Sequence, residues 1–191
     1  MPQSGKVRII GGQWRSRLIS VANEVGVRPT PNRVRETVFN WLGQDLQGKH
    51  CIDLFAGSGA MGFESASRGA ESVVMVEIKD NVFQVLRSMK EKLGAAQIKL
   101  VKMDAIEFIR SDQNQYDVIY LDPPFQLDLL PKILPLLPSR LSKSGIVYLE
   151  SECPFQQNDH WVILKCGRAG NVFFQLLKFE DHEQSNLPGH I

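Results

Sequence analysis

Between residues 49 and 179 the chain alternates two hydrophobic rhythms. Short, nearly continuous apolar runs occur at 51–55, 72–76, 98–103, 116–121 and 146–149, the pattern of strands buried on both faces. Within 80–93, Val82, Val85, Leu86, Met89 and Leu93 recur at helical spacing and mark one face of an amphipathic helix. A shorter helix is expected near 60–67, and the apolar but proline-broken stretch 127–141 is expected to be partly helical. Runs 161–166 and 172–179 have no helical segment between them, so they are expected to pair as a hairpin through Gly167-Arg-Ala-Gly170. Strand–helix alternation predicts an α/β fold with a doubly wound, mostly parallel sheet of seven strands. The terminal hairpin contributes its one antiparallel strand.

Ahead of this pattern, runs 6–10 and 17–21 flank Gly11-Gly12-Gln13-Trp14-Arg15-Ser16 and read as a small β-hairpin. A helix to about Leu42 follows, with Thr30 as its cap, Pro31 at its first position, and Val34, Val38 and Trp41 or Leu42 on one face. The organisation expected is a basic hairpin arm over 1–27, an α/β domain over 28–180 and a polar tail over 181–191. A length of 191 residues suits one such domain with a short appendage.

Composition narrows the function classes. Hydrophobic content of 43% and charged content of 23% are those of a globular chain, and no apolar run approaches the ~20 residues of a membrane helix. The first residues lack the apolar core of a signal peptide. Cys51, Cys153 and Cys166 are odd in number and set among apolar residues, so they read as buried free thiols of a reducing cytoplasm. The four histidines have no metal-ligand spacing, and no metal is expected. A net charge of +1 hides an asymmetry: residues 1–35 carry seven basic side chains against Glu24, a net +6, which leaves −5 for the rest. Six of the seven are arginines (Arg8, Arg15, Arg17, Arg28, Arg33 and Arg35), whose planar forks suit phosphate and base edges. A basic arm on an acidic body points to nucleic acid as partner.

Two motifs carry chemistry. Asp122-Pro123-Pro124-Phe125 directly follows the run 116–121. Two prolines stiffen this corner and remove two donors, leaving a carboxylate, bare carbonyls and an aromatic face. Such a corner suits a planar base whose exocyclic amine is gripped by acceptors. Asp53-Leu-Phe-Ala-Gly57-Ser-Gly59-Ala-Met-Gly62 joins the first strand to the first helix of the α/β region, where glycines admit a ligand close to the backbone. By spacing alone, Gly57, Gly59, Gly62 and Glu77 also fit a nicotinamide or flavin site. Asp53 counts against that, because it would repel a pyrophosphate, whereas it suits a cationic amino-acid group. Met103-Asp104 closes the third strand, where a side chain can reach an adenine amine, although a helix N-cap would also explain Asp104.

Asp53–Gly59, Glu77, Asp104 and Asp122–Phe125 thus lie at successive strand ends, where open α/β sheets bind ligands. In that order they resemble a Rossmann-like class I S-adenosylmethionine-dependent methyltransferase. Val7-Arg-Ile-Ile-Gly-Gly-Gln-Trp-Arg15, Arg28-Pro-Thr, Arg33-Val-Arg-Glu-Thr-Val-Phe-Asn-Trp-Leu42 and Tyr148-Leu-Glu-Ser-Glu152 narrow the likeness to the RsmD-type ribosomal RNA methyltransferases. Ser16, Pro31 and Asn32 stand where that family more usually has glycine, threonine and aspartate. The resemblance implies methylation of the N2 amine of guanine 966 in 16S ribosomal RNA, within a small-subunit assembly particle, by a monomer that turns S-adenosylmethionine into S-adenosylhomocysteine. It implies cofactor contacts from Asp53, Phe55, Ala56, Gly57, Ser58, Gly59, Glu77, Ile78, Asp104, Ala105 and Asp122. Asp122, Pro123, Pro124 and Phe125 would hold the target base, and the six arginines would hold RNA. An N6-adenine or N4-cytosine methyltransferase acting on another RNA or DNA, and a non-catalytic RNA-binding protein, are the alternatives.

Overall fold

In the computed structural model, which describes residues 5–22, 29–124 and 127–181, the chain opens with strand β1 (Lys6–Arg8) paired antiparallel to β2 (Leu18–Ser20). Among the described residues seven further strands form one sheet: β3 (His50–Asp53), β4 (Ser72–Glu77), β5 (Ile98–Lys102), β6 (Tyr116–Leu121), β7 (Leu141–Ser151), β8 (Trp161–Ala169) and β9 (Val172–Phe179). Their order is β5-β4-β3-β6-β7-β9-β8, and only β9 runs against the others. The chain steps outward from β3 to β5, then returns to place β6 on the other side of β3. That reversal opens a crevice at the carboxyl ends of β3 and β6.

Helices cover both faces, so β3, β4 and β6 are buried almost throughout and carry no polar alternation. On one face pack the ribbon, α1 (Asn32–Leu42), α2 (Ala60–Ser67) and α3 (Asp80–Leu93); on the other pack α4 (Ala105–Ser111) and α5 (Leu130–Ile133). Helix α3 spans the residues expected and buries Val82, Leu86, Met89 and Leu93. Helix α4 was not placed by periodicity, since seven residues are too few to display a helical period, but the alternative of Asp104 as a helix N-cap is realised: its side chain caps Ile106 and Glu107. The final hairpin turns two residues later than the sequence suggests. Gly167 pairs with Phe174 inside the strands, and Ala169 with Val172 beside the turn. Cys51 is buried, but Cys153 lies past the end of β7 and Cys166 on the edge strand β8, and both are exposed rather than buried.

The ribbon is fastened by a buried ionic cluster. Glu64 of α2 is fully buried; its Oε2 accepts from Ile10 N at 2.8 Å and Arg35 Nη1 at 3.1 Å, and its Oε1 from Gly11 N at 2.7 Å and Arg68 Nε at 2.9 Å. Arg35 also donates to Arg8 O, Asn32 Oδ1 and Thr30 O. Arg35 is therefore not an RNA contact as expected, because its guanidinium is 0% exposed and committed to these partners. Ser67 Oγ links Gly11 O to Trp14 N, and Gly12 sits so close that a Cβ there would lie 1.8 Å from Ser67 O. Thr30 does not cap α1 either. Pro31 holds the cap position with an extended backbone, and Thr30 Oγ1 reaches across to Glu150.

Removing one partner of a buried ion pair leaves the other charge uncompensated. Arg35→Ala is expected to lower unfolding stability by about 3–5 kcal/mol, measured by urea titration. Replacing the exposed Arg33 by alanine is expected to stay within about 0.5 kcal/mol of wild type. Equal effects of the two changes would show that the cluster contributes little.

Candidate active site

The crevice is walled by carboxylates that follow from strand ends. Strand β3 closes on Asp53, only 4% exposed. Burial pushes its carboxyl up to about 7; the Gly62 and Phe55 backbone amides offset part of this, and the charges of Glu77 and Glu150 add to it. The chain then turns sharply: Gly59 N donates to Ala56 O at 2.6 Å, and Gly59 holds the cap of α2 in a left-handed conformation. A Cβ at Gly59 would come within 2.7 Å of Leu86 and Phe63, so the turn lies flat on the helices and leaves its outer side to a ligand. Glu77 ends β4 and is tied to the same turn: Oε2 accepts from Gly57 N at 3.0 Å and Oε1 from Lys79 N at 2.8 Å. Each oxygen retains a second lone pair for a hydroxyl. Phe55 and Ser58 are half-buried, while Ile78 is 60% exposed beside Met103 at 38%. Asp104 spends Oδ1 on capping α4, and Ala105 is buried beneath it.

The second half of the site follows β6. Leu121 pairs with Leu149 of β7, so Asp122 and Glu150 are the next neighbours in parallel register. Pro123 is buried, Pro124 exposed, and Pro124 O accepts from Leu127 N at 3.1 Å. Phe125 lies outside the described residues, as does Arg28. Burial raises the Asp122 carboxyl well above the ordinary range, and the negative charges of Glu150 and Asp53 add to that shift. Glu150 is 7% exposed, and its Oε1 accepts from Thr30 Oγ1 at 3.0 Å and Tyr148 OH at 2.6 Å. Sequence reasoning did not assign Glu150 a role. The available signal was its place just past the apolar run 146–149, the same strand-end position that singled out Asp53 and Glu77.

The crevice therefore gathers Asp53, the 55–59 turn, Glu77, Asp104 and Asp122. It gathers buried carboxyls that no ion pair among the described residues compensates, and a cationic ligand would favour their ionised forms. Arg8, Arg15, Arg17 and Arg33 are exposed and stand apart from these carboxylates. A groove of about 520 Å³ lined by Lys6, Arg8, Leu18, Pro29, Thr30 and Asn32 links the ribbon to Thr30, and so to the Glu150 corner.

Comparison with known proteins finds a match to the family described as Conserved hypothetical protein 95 over residues 7–178. Ribosomal RNA small subunit methyltransferase D of Haemophilus influenzae is 37% identical over 180 residues, covering 90% of this chain and 93% of that protein. Its Escherichia coli K12 namesake is 36% identical, covering 96% and 95%. The solved Escherichia coli protein yhhF superposes with a TM-score of 0.83 at 36% identity, covering 92% of this chain and 99% of that one.

The residues present fit the positively charged end of S-adenosylmethionine, and the Asp53 carboxyl sets a pH requirement. A cationic group favours ionised Asp53, so binding should release a proton and weaken as pH falls through about 7. Affinity is expected to drop about tenfold from about pH 8 to about pH 6, measured by calorimetry in buffers of different ionisation enthalpy. Asp53→Asn should bind weakly at both pH values with little slope. A wild-type affinity independent of pH would separate Asp53 from the cation.

Proposed function

The chain belongs to the Conserved hypothetical protein 95 family, and we propose that it methylates the exocyclic N2 amine of guanine 966 in 16S ribosomal RNA of the small subunit. The observation that carries this reading is the pairing of two half-sites on adjacent strands. One is a buried acid and glycine turn fit for S-adenosylmethionine; the other is a proline-stiffened carboxylate corner fit for an amine. S-adenosylmethionine supplies the methyl group when bound. Asp53 would hold its cationic amino-acid end, with the Phe55–Ala56–Gly57–Ser58–Gly59 backbone alongside. Glu77 accepts the ribose hydroxyls. Ile78, Asp104 and Ala105 would line the adenine slot, Asp104 using only Oδ1 for the α4 cap.

Guanine N2 is a weak nucleophile because its lone pair is delocalised into the ring. Asp122 and the Pro123 carbonyl each accept one N–H, which favours a pyramidal nitrogen aimed at the methyl carbon. Positioning and stabilisation of the developing positive charge supply most of the acceleration. Asp122, already neighbouring Asp53 and Glu150, is placed to draw the proton that the amine must release. The base leaves its stack to enter, and Phe125 offers a stacking face there, worth roughly 1–3 kcal/mol. Arg8, Arg15, Arg17, Arg28 and Arg33 hold RNA phosphates, and the ribbon groove leads the strand toward the corner. The enzyme acts as a cytoplasmic monomer without a metal, on a particle in assembly.

The deciding assay is tritium transfer from labelled S-adenosylmethionine to unmodified small subunits, naked 16S RNA and DNA in parallel. Label is expected on N2-methylguanine of 16S RNA, and label on DNA alone would overturn the reading. Asp122→Ala is expected to reduce transfer by about a thousandfold or more while cofactor affinity changes less than about threefold; near-normal turnover would remove it from the chemistry. Arg15→Ala/Arg17→Ala should weaken RNA binding and make its log–log salt dependence shallower by roughly 0.7–0.9 per lost contact. Cofactor affinity should not change. An unaltered salt slope would place the RNA elsewhere.

A further inference from the structure

Glu150 has more structure around it than a filler at a strand end requires. It stands one register step beyond the Leu121–Leu149 pair, beside Asp122, on strands about 4.8 Å apart. Side chains alternate along a strand, so Asp122 and Glu150 project to the same face as Tyr120 and Tyr148, the face covered by the ribbon and α1. Both donors that hold Glu150 bind its Oε1; among the described residues no hydrogen-bond donor meets its Oε2. Glu150 is clamped through Oε1, and since no buried side-chain oxygen among the described residues lacks a partner, the unpaired Oε2 is the atom that reaches the crevice, where a ligand's donor can meet it.

The target's own chemistry supplies one. The Watson–Crick edge of guanine presents two donors side by side, N1–H and the N2 amine. Adenine and cytosine instead place a ring nitrogen lone pair beside the amine. We propose that Glu150 is a specificity-determining residue, its free oxygen accepting guanine N1–H while Asp122 engages the neighbouring N2 amine. The inference rests on the methyltransferase reading above and deepens it. Two adjacent carboxylates match a donor–donor edge, whereas a ring lone pair set against Glu150 would be repelled in a buried site. Burial raises the Glu150 carboxyl above the ordinary range, the Tyr148 and Thr30 hydroxyls offset part of that shift, and the same two bonds fix its side chain. Thr30 also lines the ribbon groove, so the segment that meets the RNA positions the residue that reads the base.

The test uses 2-aminopurine, which keeps the N2 amine but presents a lone pair at N1. Reconstituted small-subunit particles carrying guanine or 2-aminopurine at the target position are assayed with full-length wild type and Glu150→Gln. Wild type should prefer guanine by at least about a hundredfold in kcat/KM. In E150Q the amide can donate as well as accept. The guanine rate should fall about ten- to a hundredfold, the 2-aminopurine rate should hold or rise, and the ratio should shrink at least about tenfold. Cofactor affinity and melting temperature report the fold. If E150Q loses cofactor binding, Glu150→Asp, which withdraws the carboxylate by one methylene, is read on the same ratio. A ratio unchanged in the variant, whether or not both rates drop together, would make Glu150 a structural anchor and overturn the inference. Guanine and 2-aminopurine methylated equally by wild type would also overturn it while leaving the methyltransferase reading intact. Transfer to neither base by wild type would remove both.

Discussion

The buried charge of Glu64 is met by donors from three separate parts of the chain. These are the backbone of Ile10 and Gly11 in the ribbon turn, Arg35 on α1, and Arg68 just beyond α2. Helix α2 begins at the Gly59 cap, so the carboxylate that anchors the ribbon rides on the helix that follows the glycine turn proposed for the cofactor. Arg35 extends the cluster to the carbonyl of Thr30, the residue whose hydroxyl meets Glu150. A continuous polar path thus runs from the ribbon, past α1, to the strand ends. Its members are hydrogen-bonded throughout, the condition under which buried charges are tolerated.

The opposite electrostatic choice was made at the crevice. Burial raises the proton affinity of Asp53 and Asp122, the charge of Glu150 adds to both, and among the described residues no arginine or lysine forms an ion pair with these acids. A fold optimised only for stability would pair or remove these acids, since uncompensated buried charge is costly. The arrangement makes sense for a site whose ligands bring positive charge: a sulfonium and an ammonium on one side, and an amine that becomes cationic on the other. Stability withheld in the free protein becomes affinity for the charged state of the reaction.

Charge is likewise divided across the molecule. The basic ribbon and the crevice carboxyls sit on one covalent frame, with a groove lined by ribbon residues and by Pro29–Asn32 between the ribbon and the start of α1. On the proposed reading, phosphates would be drawn to the first and kept from the second, so an RNA strand would settle on the ribbon without its backbone entering the crevice. Only an unstacked base, which carries no phosphate, fits the carboxylate corner without that repulsion.

Local sequence determined a great deal. Helices Ala60–Ser67 and Asp80–Leu93 and strands Tyr116–Leu121 and Val172–Phe179 lie where periodicity placed them, because backbone preference and the apolar face are properties of contiguous residues. The glycine turn after Asp53 and the proline corner after Asp122 were legible for the same reason. Helix α4 was not, being too short to show a period. Tertiary structure alone decided the fates of Arg35, Thr30 and Glu150. In sequence Arg35 is one arginine among several, and its burial depends on Glu64, 29 residues away. Thr30 had every local reason to cap a helix, yet its hydroxyl is taken by Glu150 at a separation of 120 residues. Burial and the long-range pairing of charge are set by which segments the fold brings together, and no short stretch of chain contains that information.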